Sequence, residues 1–200
     1  MSLPRVRRSG ATRGSVPESI DRTQTIYRPP WRIDIVTRAA VRSPLPAATI
    51  ATAATRALDR AAAPAAPGSV TIVLTDDAEL AALNLEHMGL DGATDVLSFP
   101  MLPPAAFGHG EVGASEAAAA LRQGRRTHIG DIAISVERAV EQAEAGLGGQ
   151  TGDVRWSAAD ELRLLVTHGV LHLCGWDHAA PAGEAAMRAL EQRLLQVERR

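Results

Sequence analysis

Three short runs rich in β-branched residues, Arg32-Ile-Asp-Ile-Val36, Ser69-Val-Thr-Ile-Val-Leu-Thr75 and Gly130-Asp-Ile-Ala-Ile-Ser135, are each followed by a stretch of helical pattern. That alternation constrains the fold most, because a helix between two strands lets them lie parallel in one sheet. Leu45 to Ala62 is Ala-rich and helical in pattern, and stops before Pro64. Asp76, with Glu79 three residues on, reads as a capping box opening a helix that ends at Gly89. Thr94 to Phe99 reads as a further strand, ended by Pro100. Val136 to Ala145 is a helix closed by Gly146. Ser157, with Asp160 in the box position, opens a helix through Leu162, Leu165, Val166 and Leu173 to Gly175. An amphipathic helix runs from about Ala182 to Val197. The expected fold is α/β of the α+β kind: one domain, a mixed sheet of four or slightly more strands, and helices packed on it.

Residues 1–30 have no hydrophobic period and read as a disordered basic arm, or as an overlong start to the gene, with the domain spanning 31–200. Within it, 101–128 is rich in Pro, Gly and Ala and reads as a mobile insertion, and Gly148 to Val154 as a polar loop. Only 3% of residues are aromatic, so Ala, Leu and Val must build the core. The net charge of −2 argues against a broad nucleic-acid-binding surface. Six arginines precede Trp31, against Glu18 and Asp21, so the remainder is distinctly acidic. Any RNA would be held by a local basic strip or by a metal. A single cysteine, Cys174, excludes an intrachain disulfide and fits a reducing, cytoplasmic location. No apolar run has membrane-spanning length, and the basic N-terminus lacks the apolar core of a secretory signal. An organelle transit peptide would share its Arg-rich, acid-poor character.

The chemistry concentrates in His168-Gly-Val-Leu-His172-Leu-Cys-Gly175-Trp-Asp-His178, which holds three of the six histidines. His168 and His172 lie one turn apart on one helix face. Gly175 allows the left-handed turn that swings His178 back toward them. Three neutral imidazoles suit zinc, one ion per chain, and leave a coordination position open, as a catalytic site requires. The bland alternative is three unrelated histidines. The spacing equals the metzincin pattern, His-Glu-x-x-His-x-x-Gly-x-x-His, with Gly169 in place of the Glu that serves as general base. Peptide hydrolysis loses its base, while an ion could still activate water or polarise a phosphoryl oxygen. By analogy with the proteases, position 169 is expected to face the open site, where a carboxylate would repel substrate phosphate.

His168 to His178 resembles the metal signature of the YbeY family of bacterial endoribonucleases. Leu83-Asn84 with Thr94-Asp-Val-Leu-Ser-Phe-Pro100, and Gly130-Asp-Ile-Ala-Ile-Ser135, resemble two further segments of that family in the same order. The resemblance covers Trp31 to the C-terminus and implies a zincin-like fold with a metal-binding helix, and zinc held by His168, His172 and His178. It also implies cleavage of single-stranded RNA in small-subunit ribosomal RNA maturation and ribosome quality control. The partners implied are ribosomal RNA and the ribosome or its assembly intermediates. The insertion after Pro100 is long for the family. Many members carry an Arg where gapless alignment puts Met88, after His87, and Met cannot pair with phosphate.

Smaller signals have two readings each. Arg122, Arg125 and Arg126, with His128, could hold RNA phosphates or form a solvated loop guarding a sheet edge. Ser98 and Thr94 could line the cleft or bond within the strand end. Asp177 could orient His178 or cap the turn. Cys174 could be a soft ligand, but its place two residues after His172 points it off the ligand face, and it reads better as a small buried residue. Trp176 could stack on a base, but fits packing under the turn better; His109 reads as solvated. Two other functions compete with the nuclease: a zincin-like metallopeptidase with a base from elsewhere, and a non-catalytic ribosome-assembly factor with structural zinc.

Overall fold

A computed structural model describes residues 20–62, 65–108, 126–146, 156–177 and 181–197. The elements in order are β1 (Arg22–Arg28), β2 (Trp31–Thr37), α1 (Ala47–Ala61), β3 (Gly68–Thr75), α2 (Asp77–Met88) and β4 (Val96–Pro100). A 3-10 turn (Pro104–Phe107) follows, then β5 (Thr127–Ser135), α3 (Val136–Glu144), α4 (Ala158–Leu173) and α5 (Pro181–Val197). The sheet order is β1-β2-β3-β5-β4. Strands β2, β3 and β5 are parallel, and the two edge strands run antiparallel to their neighbours.

Period-two alternation sorts the strand residues between two faces. Ile33 and Ile35, Val70, Ile72 and Leu74, and Ile132 and Ile134 all point to one side and are buried. Over them lie the small residues of α1 (Ala51, Ala54, Ala57) and the larger ones of α4 (Leu162, Val166, Val170). Each fully buried aliphatic side chain there contributes roughly 1.5–3 kcal/mol. The second face is covered in part by α2, whose Leu80 packs on Leu97 and Ala133 with Val73, Leu83 and Phe99 around it. No described helix is long and apolar enough to cross a membrane.

Several boundaries differ from the sequence reading. The ordered fold starts before Trp31. Strand β1 pairs along its whole length with β2, from Arg22 opposite Thr37 to Arg28 opposite Trp31. Its side chains are mostly exposed on both faces, so it carries no alternation to read. Backbone hydrogen bonds, blind to side-chain pattern, hold it in place. Residues 1–19, the rest of the expected arm, lie outside the described residues. The expected insertion at 101–128 is narrower than its composition implied. Ala106 and Phe107 are buried in the main core, and β5 already begins at Thr127. Residues 109–125 and the loop 147–155 lie outside the described residues.

The expected capping box on α2 is half present. Asp76 accepts from the Glu79 backbone N–H at 2.9 Å, but the Glu79 carboxylate turns away to Arg38 and Thr75. A forked guanidinium outbids a single backbone N–H for a carboxylate. Arg38 also donates to Asp21 at 2.8 Å, and it holds the Glu79 carboxyl below its usual range.

Candidate active site

The helix that carries the histidines is fixed at both ends. At its start Ser157 Oγ accepts from the Asp160 N–H at 3.2 Å, and Asp160 Oδ2 accepts from the Ser157 N–H at 3.1 Å, completing the expected box. At its end Gly175 adopts φ +83°, and its N–H donates to the His172 carbonyl at 3.0 Å. A Cβ at 175 would lie 2.8 Å from Cα of Pro104, so the turn needs glycine for both conformation and space. The chain then leads to His178, which lies outside the described residues.

His168 and His172 stand one turn apart with rings edge to face, centroids 4.5 Å apart, and their Nε2 atoms 3.0 Å from each other. The other nitrogen of His168, Nδ1, lies 2.7 Å from Oε1 of Glu191 on α5. A carboxylate there accepts, so Nδ1 carries the proton and the Nε2 lone pair of His168 faces Nε2 of His172. Two imidazole nitrogens converging on one point are what two ligands of a single cation present. A carboxylate behind a ligand histidine is the recurrent support of such sites. This donor set fits a borderline-soft divalent ion such as zinc.

Glu191 was not singled out by sequence reasoning. Its signal is its place on α5: it falls on the same stripe as Met187 and Leu190, which are buried, and it is itself only 8% exposed. An acid on an apolar stripe must have a partner.

Gly169 does not face the histidines' open side. A Cβ there would meet Cγ2 of Ile132 at 2.8 Å and Oγ of Ser98 at 3.3 Å. The expectation that position 169 borders the open site is therefore corrected: glycine lets α4 lie close against β4 and β5. Ser98 donates to the Gly169 carbonyl at 3.2 Å and so ties the edge strand to this helix.

The basic strip is only partly described. Arg122, Arg125 and His109 lie outside the described residues. Arg126 donates to the carbonyls of Pro30 at 2.9 Å and Gly68 at 3.0 Å, and its guanidinium lies 5.9 Å from the Tyr27 ring centroid. It makes no hydrogen bond with either histidine. His128 bonds Asp131 at 2.9 Å and Ser69 at 3.3 Å. Thr94 donates to Asp95 at 3.2 Å, and His87 packs edge to face on Phe99 at 5.1 Å. Met88, on the same helical turn, is 50% exposed. Cys174 is wholly buried, and burial pushes its thiol pKa up to about 12, so it stays a protonated packing group. Trp176 packs against the main core, and Asp177 is exposed.

A family model described as Endoribonuclease YbeY matches residues 38–198. The chain belongs to the endoribonuclease YbeY family. A curated YbeY endoribonuclease from Salinispora tropica is 44% identical over 128 residues, covering 63% of this chain and 71% of that protein. One from Symbiobacterium thermophilum is 39% identical over 127 residues, covering 64% and 69%. One from Mycobacterium marinum is 41% identical over 133 residues, covering 65% and 64%. A solution structure from Thermotoga maritima covers 83% of this chain and 87% of that one at 19% identity, with a TM-score of 0.46. That likeness is too slight to add to the YbeY assignment, which rests on the sequence relatives. The resemblance read from three short segments is thereby borne out.

Proposed function

We propose that this YbeY family member is a zinc-dependent, single-strand-specific endoribonuclease. It acts in small-subunit ribosomal RNA maturation and ribosome quality control, in the cytoplasm, on the ribosome or its assembly intermediates. The observation that carries the reading is the convergence of the His168 and His172 Nε2 atoms at 3.0 Å, on a helix of a chain whose relatives are named endoribonucleases. His168, His172 and His178 would hold one ion. Such an ion supplies Lewis acidity toward a phosphoryl oxygen and lowers the pKa of water. Glu191 keeps the His168 ring in one orientation and one tautomer, with Nε2 as the lone-pair nitrogen turned toward His172.

The remaining residues position. Ser98 commits its proton to the Gly169 carbonyl and so can meet substrate only as an acceptor. Arg126 uses one nitrogen on two carbonyls and keeps other N–H groups for a phosphate; Arg122 and Arg125, the rest of the basic strip in sequence, would add to it. The peptidase reading is disfavoured because position 169 offers no carboxylate and its space is filled by Ile132 and Ser98.

The reading is tested by incubating metal-loaded protein with single-stranded fragments of small-subunit ribosomal RNA, beside a chelated control and casein. RNA cleavage only in the metal-loaded sample, with casein intact, is the expected result. Cleavage of casein with RNA intact would instead make the chain a peptidase.

A further inference from the structure

A groove of about 750 Å³ lies between α1 and α5, and neither His168 nor His172 lines it. Its walls bring Arg56, Asp59 and Arg60 from α1 to Leu190, Arg193 and Leu194 of α5. Among the described residues, three guanidinium groups thus line the groove with one carboxylate. That carboxylate is committed to the protein, since Asp59 accepts from Trp31 Nε1 at 2.6 Å. Arg60 and Arg193 are exposed, and neither has a carboxylate partner within salt-bridge distance among the described residues. Arg60 sits in the last turn of α1, where a cation offsets the helix dipole. That dipole is equivalent to only about half a charge, so it does not account for the cluster.

The groove's place in the fold matters as much as its charge. Helix α1 ends at Ala61, shortly before β3 starts at Gly68, and Trp31, bonded to Asp59, opens β2. The arginines therefore lie toward the end of the sheet where the parallel strands begin. The C-terminal half of α4 lies at that end too: Leu173 Cδ2 is 2.8 Å from where a Cβ of Gly130, near the start of β5, would stand. Helix α5 joins the two places. Glu191 on one side of it bonds His168, while the adjacent Leu190 lines the groove. The histidines and the groove thus meet neighbouring faces of α5.

We propose that this groove holds the phosphodiester backbone of the RNA flanking the scissile linkage, a few nucleotides from the histidines. The inference rests on the nuclease reading above. Arg60 and Arg193 would take phosphates while Leu190 and Leu194 offer an apolar floor to ribose or base. An acidic protein segment would see the same charges but would not show the counterion release of a nucleic-acid strand.

The test is fluorescence anisotropy on the intact, metal-loaded protein. The probes are labelled single-stranded RNAs of about 20 and about 4 nucleotides, read across a salt series. Arg60→Ala/Arg193→Ala is expected to weaken the long RNA roughly 3- to 10-fold, with the loss confined to that RNA, and to lower its salt slope by about 1.4. Arg60→Lys/Arg193→Lys should recover most of the affinity, because a phosphate contact is largely Coulombic. Arg188→Ala removes one positive charge from a residue paired with Glu184 and should change neither quantity. Long-RNA affinity and slope equal to the parent's in the double alanine variant, with its melting intact, would overturn the groove and leave the nuclease reading standing. A parent that binds RNA through the groove and cleaves none would sink the nuclease reading and leave the groove.

Discussion

Glu191 Oε1 lies 2.7 Å from Nδ1 of His168, joining α5 to the histidine-bearing helix through a nearly buried carboxylate. Glu191→Ala frees the ring to rotate and to change tautomer. Metal affinity is expected to fall about 10- to 100-fold, measured by competition with a chromophoric chelator. Glu191→Gln, which keeps shape and an acceptor oxygen, should lose less. Parental affinity in both variants would show that the carboxylate does nothing for the histidine.

Gly169→Ala puts a methyl group 2.8 Å from Cγ2 of Ile132, in space that α4 and the sheet already share. Overpacking of this kind costs roughly 1–3 kcal/mol. Denaturant unfolding should show that loss; an unchanged midpoint would mean that the helix can lift from the sheet freely.

Removing residues 1–30 removes β1 and with it the whole antiparallel ladder on β2, together with the Asp21–Arg38 ion pair. With about 1 kcal/mol for each backbone hydrogen bond, the loss is on the order of a few kcal/mol. A chain starting at Trp31 should therefore melt clearly lower than the full chain. Equal melting would make β1 a decoration.

Glu161, 3% exposed at the head of the histidine helix, accepts from Trp156 Nε1, and burial raises its pKa above the ordinary 4.5. A raised acid binds its proton more tightly folded than unfolded, so its contribution is full below the unfolded pKa and lost as pH rises through the folded one. Glu161→Gln has no proton to lose. Relative to this variant the parent should become progressively less stable as pH climbs above the ordinary carboxyl value of 4.5. Parallel pH profiles would remove the burial argument.

What the sequence made legible is what depends on local spacing. The four-residue interval of His168 and His172 and the Ser157–Asp160 box needed only helix geometry, and strands β3 and β5 announced themselves by β-branched runs. The rest depends on what lies across space. β1 is set by a neighbouring strand rather than by its own side chains. The Glu79 carboxylate went to Arg38, an arginine far off in sequence. Glu191 acts through a histidine on another helix. The direction of Gly169 follows from how closely α4 approaches Ile132, which no spacing in the chain records.

The most direct test of the account replaces the two described histidines. His168→Ala/His172→Ala and the parent, each checked for folding by melting and for bound metal by elemental analysis, are given the same single-stranded ribosomal RNA fragment. The parent should carry about one zinc per chain and cut the RNA. The folded double variant should have lost both the metal and the cleavage. A folded, metal-free double variant that cuts at the parental rate would contradict it.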